Sequence, residues 1–364
     1  MKYITPEYYK NFQCKCGCCR HSCCERWPVR ISMKDYFRLA GISCSKKLRA
    51  RLDCALKICP KPNEVCYAEI STDWNGICLL RGEDGLCSLQ KELGEKVLSE
   101  ICRIYPRRLV RLPEISLCSC SNSCEKVVEL LSDLKAPMQF EECDISSNPK
   151  FEVNVTEKQL KECIKAITIL QDRTQSLPER LIILGKSIMG EKWSLKVTKD
   201  LSHAFQFLYS LDKIYENSIS VSDYCRSAEH YFCIDRKDTL TAEDLMLISE
   251  KYAFALKHLE LHLPEWQEIF EQLLVNHMFY CIFPYTESLS SKEDAYLSLV
   301  IIYSFLRINL LGFMADESNE IQLIDFLAAM FRLIDHSLFD LTVVKLLKGM
   351  KASEEELVAQ LVHV

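Results

Sequence analysis

Six cysteines fall within eleven consecutive residues of CKCGCCRHSCCERW, from Cys14 to Trp27. Thiols packed this closely serve either as disulfides in an oxidising compartment or as soft thiolate ligands in a reducing one. MKYITPEYYKNFQ shows no basic start followed by a long apolar run and a small-residue cleavage site, so a cytoplasmic location with reduced thiols is expected. The odd total of 21 cysteines fits, because complete pairing needs an even number. Cys14, Cys19, Cys23 and Cys24 read C-x4-C-x3-C-C, a spacing that lets sulfurs turn toward one centre, and Cys78, Cys87 and Cys102 offer further donors. Thiolates suit zinc, copper(I) or an iron–sulfur cluster. Adjacent Cys23 and Cys24 seldom share one ion comfortably, which leaves one of them as a supporting or resolving thiol. Cys16, Cys18, Cys44, Cys54, Cys59, Cys66, Cys118 and Cys143 read as spare thiols, a common fate of buried free cysteine.

The elements that must position these donors divide the chain in two. Seventeen of the 21 cysteines lie at or before Cys143, and Cys163, Cys225, Cys233 and Cys281 are scattered beyond it. Residues 1–150 carry 24 basic against 19 acidic side chains, and residues 151–364 carry 21 against 32. SSNPK, Ser146 to Lys150, breaks the pattern, so a cysteine-rich domain over 1–146 and a helical domain over 150–364 are expected. At 364 residues and 48% hydrophobic the chain can bury two cores without cysteine staples.

The expected fold class is mainly α. In the first part, SMKDYFRLA, SKKLRARLDCALKI, SLQKELGEKVLSEIC and NSCEKVVELLSDL read as short helices, and WNGICLLRGEDGLC as a small hairpin or tight loop around Asn75-Gly76 and Asp84-Gly85. The second part is helical almost throughout, with apolar residues at helical spacing after Thr156, Pro178, Thr241 and Pro264. LSLVIIYSFLRINLLGFM, Leu297 to Met314, has the length of a membrane span but contains Arg307 and Asn309, so it reads as a buried helix.

The order of landmarks carries a resemblance. C-x4-C-x3-C-C followed by Trp27, the CLLRGEDGLCSLQKELGE segment with Cys78 and Cys87, CRIYPRRL from Cys102, SCEKVVELL from Ser123 and NHMFYCIFPY from Asn276 together resemble the FliB-type flagellin lysine-N-methylase family. Its N-terminal module is similar to cysteine-rich CxxCxxCC proteins. The resemblance runs in order through nearly the whole chain, and GEDGLC with CRIYPR is its more specific part. It implies transfer of methyl groups from S-adenosylmethionine to lysine amines of flagellin by a protein holding a [4Fe-4S] cluster, with zinc as the alternative metal.

The residues alone would not give that chemistry. With ten glycines, no G-x-G-x-x-G and no alternation of strands and helices, a doubly wound methyltransferase domain is not expected. Cys19 and Cys23 have the first spacing of the C-x3-C-x2-C triplet of radical S-adenosylmethionine enzymes, but position 26 is Arg26. A lysine methylase must let an amine of pKa about 10.4 lose its proton and align it with a sulfonium methyl. Tyr105 is the candidate catalytic aromatic, with Arg103 and Arg107 as candidate partners of the cofactor carboxylate. Against that stands core packing for the tyrosine and a solvated basic face for the arginines. The acidic second half would attract a lysine-bearing substrate surface.

Weaker constellations are set beside these. Cys225, His230 and Cys233 in DYCRSAEHYFC have metal-ligand character but sit at helical spacing. His258 and His262 in HLELHL lack the His-Glu start of a zinc protease motif. RIYPRRLVR is basic, yet the chain is acidic overall at −6 and shows no nucleic-acid recognition module. The competing functions are a non-catalytic metal or cluster carrier, sensor or interaction protein, and thiol redox chemistry at Cys23-Cys24. Spacing leaves zinc against iron–sulfur open, along with the oligomeric state.

Overall fold

The computed structural model describes residues 2–27, 29–112, 115–144, 155–190, 193–195, 200–218, 221–234, 240–315 and 320–364. The expected boundary at Ser146 to Lys150 lies outside them. The first part is built from short strands and helices in chain order: β1 (Lys2–Pro6), β2 (Val29–Ile31), α1 (Met33–Ala40), α2 (Lys46–Ala55), β3 (Leu56–Ile58), β4 (Ala68–Ile70), α3 (Ser88–Leu93), α4 (Glu100–Ile104), β5 (Arg107–Arg111), β6 (Ser116–Cys120), α5 (Glu125–Ser132) and β7 (Phe140–Asp144). The rest is helical: α6 (Glu157–Leu170), α7 (Leu177–Met189), α8 (Ser202–Tyr215), α9 (Ser222–Tyr231), α10 (Ala242–His262), α11 (Trp266–Cys281), α12 (Lys292–Met314), α13 (Glu320–His336), α14 (Phe339–Lys348) and α15 (Glu354–His363). The mainly α reading of the sequence therefore holds, and the first part carries more strand than the hairpin expected there.

Two sheets organise that first part. One runs β5-β6-β1-β7, with β1 parallel to β6 and the other pairs antiparallel. The other is the antiparallel β2-β4-β3. All five residues of β6 are buried, so this strand shows none of the alternation that marks a half-exposed one. The helix expected over SKKLRARLDCALKI ends at Ala55 and the chain continues as β3. The stretch from Ser88 to Cys102 is broken at Gly94, whose φ of 85° lies in the left-handed region glycine favours.

Helix starts follow local chemistry. Thr156 with Gln159, Ser176 with Glu179 and Thr241 with Asp244 form reciprocal capping boxes at the first turns of α6, α7 and α10. Helix α12, the stretch of membrane-span length, is buried from Ala295 to Gly312. Its two polar residues are paired there: the Arg307 guanidinium lies 4.7 Å from the Trp266 ring centroid and donates to Tyr303 Oη at 3.0 Å, and Asn309 donates to Asp212 at 3.2 Å. Burial pushes the Asp212 carboxyl up to about 8.

Buried apolar residues of the four-stranded sheet and of the helices form one continuous core, from Tyr8 and Val110 to Phe305 and Leu361. A smaller core, with Ile31, Leu39, Leu52 and Ile70, lies between the three-stranded sheet and α1 to α3. Gly312 sets how closely α12 meets α9: a Cβ there would stand 2.5 Å from Ala228 Cα and 2.8 Å from its Cβ. Alanine in a helix is ordinarily worth about 1 kcal/mol over glycine. Here the clash is with backbone, so Gly312→Ala is expected to destabilise by about 1–3 kcal/mol in urea unfolding. A stabilised variant would contradict this packing.

Candidate functional site

The cysteine loop, residues 13–24, has no regular structure of its own and is held by charge. Lys15 Nζ donates to Glu125 Oε1 at 2.5 Å and to Glu129 Oε1 at 2.6 Å, and the backbone N–H groups of Arg20 and His21 donate to Glu125 Oε2 at 2.9 and 3.3 Å. Arg20 Nε reaches Asp325 at 2.9 Å, while Arg332 donates to the His21 carbonyl at 2.5 Å. Glu125 is buried in the first turn of α5, where a carboxylate is favoured by the helix end. The loop is thus pinned between α5 and α13. Left-handed backbone at Cys16, Gly17 and Arg26 lets it turn tightly enough to do so.

Five of the seven candidate ligands line one cavity of about 100 Å³: Cys23, Cys24, Cys78, Cys87 and Cys102. Cys78 is placed by its N–H to the Cys24 carbonyl at 2.8 Å, and Cys87 by its bridge to Arg81 and its position before the first residue of α3. Cys102 sits on α4, whose first turn Ser99 caps. Val29 and Ile70 of the three-stranded sheet, with Leu80 and Leu98, complete an apolar wall. Among the described residues no charged side chain lines the cavity. A hydrogen bond from Cys24, and then the Arg332 and Arg81 charges, bring the Cys23 thiol down to about 7, while the Cys24 thiol is raised well above its ordinary value. Burial raises Cys87 and pushes Cys78 to about 11, and Cys102 lines the cavity while remaining exposed to solvent.

Cys14 and Cys19 lie apart from that wall. Burial, then the Glu125 charge and the neighbouring Cys124 thiol, push Cys19 up to about 12, and Cys14 is exposed, accepting the Cys16 N–H at 3.4 Å. Cys124, which sequence reading passed over, therefore stands with Cys14 and Cys19. Its place just before α5 was the available signal. Among the described residues no three His, Cys, Asp or Glu side chains are gathered closely enough to hold a single metal ion. Cys225 is buried, and Cys233 accepts Lys251 Nζ at 2.8 Å. The rings of His258 and His262 lie 4.2 Å apart.

Tyr105 also lines the cavity, with its ring 5.3 Å from Trp27, itself a lining residue. Burial raises its phenol far above 10, so it stays protonated. Its hydroxyl lies 3.0 Å from Ser123 Oγ, which is 2.6 Å from Ser121 Oγ and 2.8 Å from His336 Nε2. Ser121 donates to Asp335 Oδ2 at 2.5 Å, and Asp335 Oδ1 lies 3.0 Å from His277 Nδ1. Ser121, Ser123, His277, Asp335 and His336 were not singled out from sequence, since Ser121 and Ser123 are ordinary residues of the turn between β6 and α5 and the others ordinary helix residues. Arg103 is exposed on α4, and Arg107 stacks 4.8 Å over the Phe12 ring; neither lines the cavity.

The two histidines of this network respond oppositely to acid. Burial holds the His336 ring down to about 4, whereas Cys281 and Asp335 raise His277 well above 6.5. Unfolded, His336 would take a proton near 6.5. The folded ring takes it only near 4, so its contribution is intact above pH 6.5 and is lost as pH falls toward 4. The His277 contribution has the opposite sign and is lost as pH rises through its raised value. His336→Gln is expected to narrow the difference in urea-unfolding stability between pH 7 and pH 5 by on the order of 1 kcal/mol. An unchanged difference would contradict the buried neutral ring.

Residues 187–356 match the model of the FliB lysine N-methylase C-terminal domain. The chain is similar to a lysine-N-methylase of Salmonella choleraesuis, 29% identical over 118 residues that cover 29% of this chain and 27% of that protein. It is similar to the flagellar biosynthetic protein FliU of Salmonella muenchen, 28% identical over 118 residues, covering 29% of this chain and 64% of that protein. A lysine-N-methylase of Salmonella typhimurium is 28% identical over the same length, with 27% of it covered. The chain thus spans about a quarter of the length of the lysine-N-methylases it matches. No solved structure matches.

Proposed function

We propose that the chain, whose residues 187–356 match the FliB lysine N-methylase C-terminal domain, is a lysine N-methylase that transfers methyl groups from S-adenosylmethionine to lysine amines of flagellin, next to a cysteine-bound [4Fe-4S] cluster. One observation carries this reading: five thiols, Trp27 and Tyr105 line a single cavity that, among the described residues, no charged side chain enters. Four of the five thiols would hold the cluster, with one of the Cys23–Cys24 pair left over.

The donor set suits a cluster better than zinc. A zinc ion draws its sulfurs to about 2.3 Å of one point, whereas four irons spread their ligands around a larger body, as thiols distributed over a cavity wall do. When bound, the cluster supplies a redox-active inorganic face at the cavity, and S-adenosylmethionine supplies the electrophilic methyl. The protein's own residues do the rest. The apolar wall excludes water and disfavours an ammonium, so a lysine side chain entering it is pressed toward the neutral, nucleophilic amine. Trp27 and Tyr105 flank its aliphatic stem and orient the nitrogen. The Tyr105 hydroxyl, fixed by Ser123, stays a phenol and holds a hydrogen bond rather than acting as a base. Arg103 and Arg107 lie away from this wall, so a cofactor carboxylate bound by them would reach it from outside.

A non-catalytic carrier would need the same thiols but neither aromatic. Tyr105→Phe separates the two: metal content is expected to stay while methyl transfer falls by about 10- to 100-fold, as for other groups supporting a metal site. Metal content together with transfer rate, measured on protein purified without oxygen, tests the proposal. Wild-type protein that carries iron and sulfide but moves no methyl would leave the carrier.

A further inference from the structure

Cys59 and Cys66 stand apart from the cysteine cavity, at the neck of the loop CPKPNEVC that joins β3 to β4. Ladder pairing ends at Ile58 with Ala68, and the Cys59 N–H then donates to the Tyr67 carbonyl at 3.0 Å, so the two cysteines leave the strands side by side. Their sulfurs are 3.9 Å apart. The loop beyond the neck is tied down: Asn63 Oδ1 accepts the N–H groups of Val65 and Cys66 at 3.0 and 2.7 Å, Asn63 N–H donates to the Cys66 carbonyl at 3.1 Å, and the Glu64 carbonyl accepts the Met33 N–H at 2.9 Å. Both thiols are half-buried, within reach of small molecules.

Two thiols this close serve either a metal or each other. A metal needs a third ligand, and among the described residues none is gathered with them. We propose that Cys59 and Cys66 are a redox modification site that closes into an internal disulfide by exchange with a small-molecule disulfide such as oxidised glutathione. The sulfur of one cysteine, its proton lost to solvent, attacks one sulfur of the glutathione disulfide, whose S–S bond breaks and releases one glutathione thiolate. The sulfur of the other cysteine, likewise deprotonated, attacks the protein sulfur of that mixed disulfide and expels the second glutathione. The two cysteines are oxidised together by two electrons, and glutathione disulfide is reduced to two thiols that regain the two protons. The bridge needs only that the sulfurs close from 3.9 Å to bonding distance across a neck already held by backbone bonds.

The site adjoins the short strand that supplies part of the cavity wall. β4 leaves the Cys66 end and runs to Ile70, which lines the cysteine cavity. Closing the neck fixes one end of a strand whose other end faces the thiols there. The proposal stands independently of methyl transfer.

The full chain, purified without oxygen, is equilibrated in glutathione buffers of increasing oxidised fraction, blocked with an alkylating agent and digested without reduction. Cleavage after Lys57 and after Tyr67 yields a fragment holding Cys59 and Cys66 without Cys78. The expected product is that fragment two hydrogens lighter, with no glutathione attached, reverting fully in reduced buffer. In Cys59→Ser, Cys66 is expected to carry a glutathione adduct instead, as trapping of the first step requires. Single adducts on the wild-type pair would overturn the proposal. So would both thiols remaining reduced at a poise where exposed Cys54 is glutathionylated, or a Cys66–Cys78 bridge.

Discussion

Protein in which Cys78 and Cys102 are both replaced by alanine is expected to purify without iron or acid-labile sulfide and to transfer no detectable methyl. These two thiols come from a bridge segment and from α4, so no other pair in the cavity wall can take their place opposite Cys23 and Cys24. Removing them leaves at most three sulfurs there, and a four-iron cluster needs four ligands. Wild-type protein should carry about four irons and four sulfides per chain. Cys14→Ala is the informative contrast, because Cys14 does not line the cavity. It should retain most of the cluster. Equal loss from both variants would mean that Cys14 moves inward to ligate and that the cavity set is wrong.

The second large effect concerns stability. Glu271 on α11 is fully buried between two arginines: Arg180 Nη1 donates to its Oε2 at 2.5 Å, and Arg173 holds it through Nε and Nη2 at 3.0 Å each. Arg180 is itself buried and also donates to the Leu170 carbonyl at 2.8 Å, so this carboxylate ties α6, α7 and α11 together. Glu271→Gln preserves the shape and removes the charge, leaving the Arg180 guanidinium buried without its counter-ion. Breaking such a pair from one side costs about 3–5 kcal/mol, more than removal of an exposed pair, which costs about 0–1. Urea unfolding followed by helical circular dichroism measures it. A loss below about 1 kcal/mol would show that water reaches Arg180 in solution.

What the sequence reveals and what it hides follow from the range of the interactions. Helices α6, α7 and α10 are legible because their signals are local: an apolar stripe at helical spacing and a Thr or Ser followed three residues later by Gln, Glu or Asp. The four-stranded sheet is not, since β1 pairs with β6 and β7, more than a hundred residues away, and β6 lacks any alternating pattern. The density of cysteines is plain in the sequence, but their grouping in space is not. Cys19 and Cys23 are four residues apart, yet the turns of the loop send Cys19 toward Cys124 and Glu125 and Cys23 into the cavity. Spacing cannot report which way a chain with left-handed residues at Cys16 and Arg26 turns. Tyr105, three residues after Cys102 in sequence, lines the same cavity as that cysteine. The Ser121, Ser123, Asp335 and His336 network behind it has no such local signal, because it joins the turn between β6 and α5 to α13 only in three dimensions.

The most direct measurement incubates anaerobically purified protein with flagellin and S-adenosylmethionine carrying a deuterated methyl group, then maps flagellin by mass spectrometry. The account predicts deuterated methyl groups on lysine side chains, formed by wild-type protein and absent with the Cys78→Ala/Cys102→Ala variant. Unlabelled lysines with wild-type protein that holds its full iron and sulfide would contradict it.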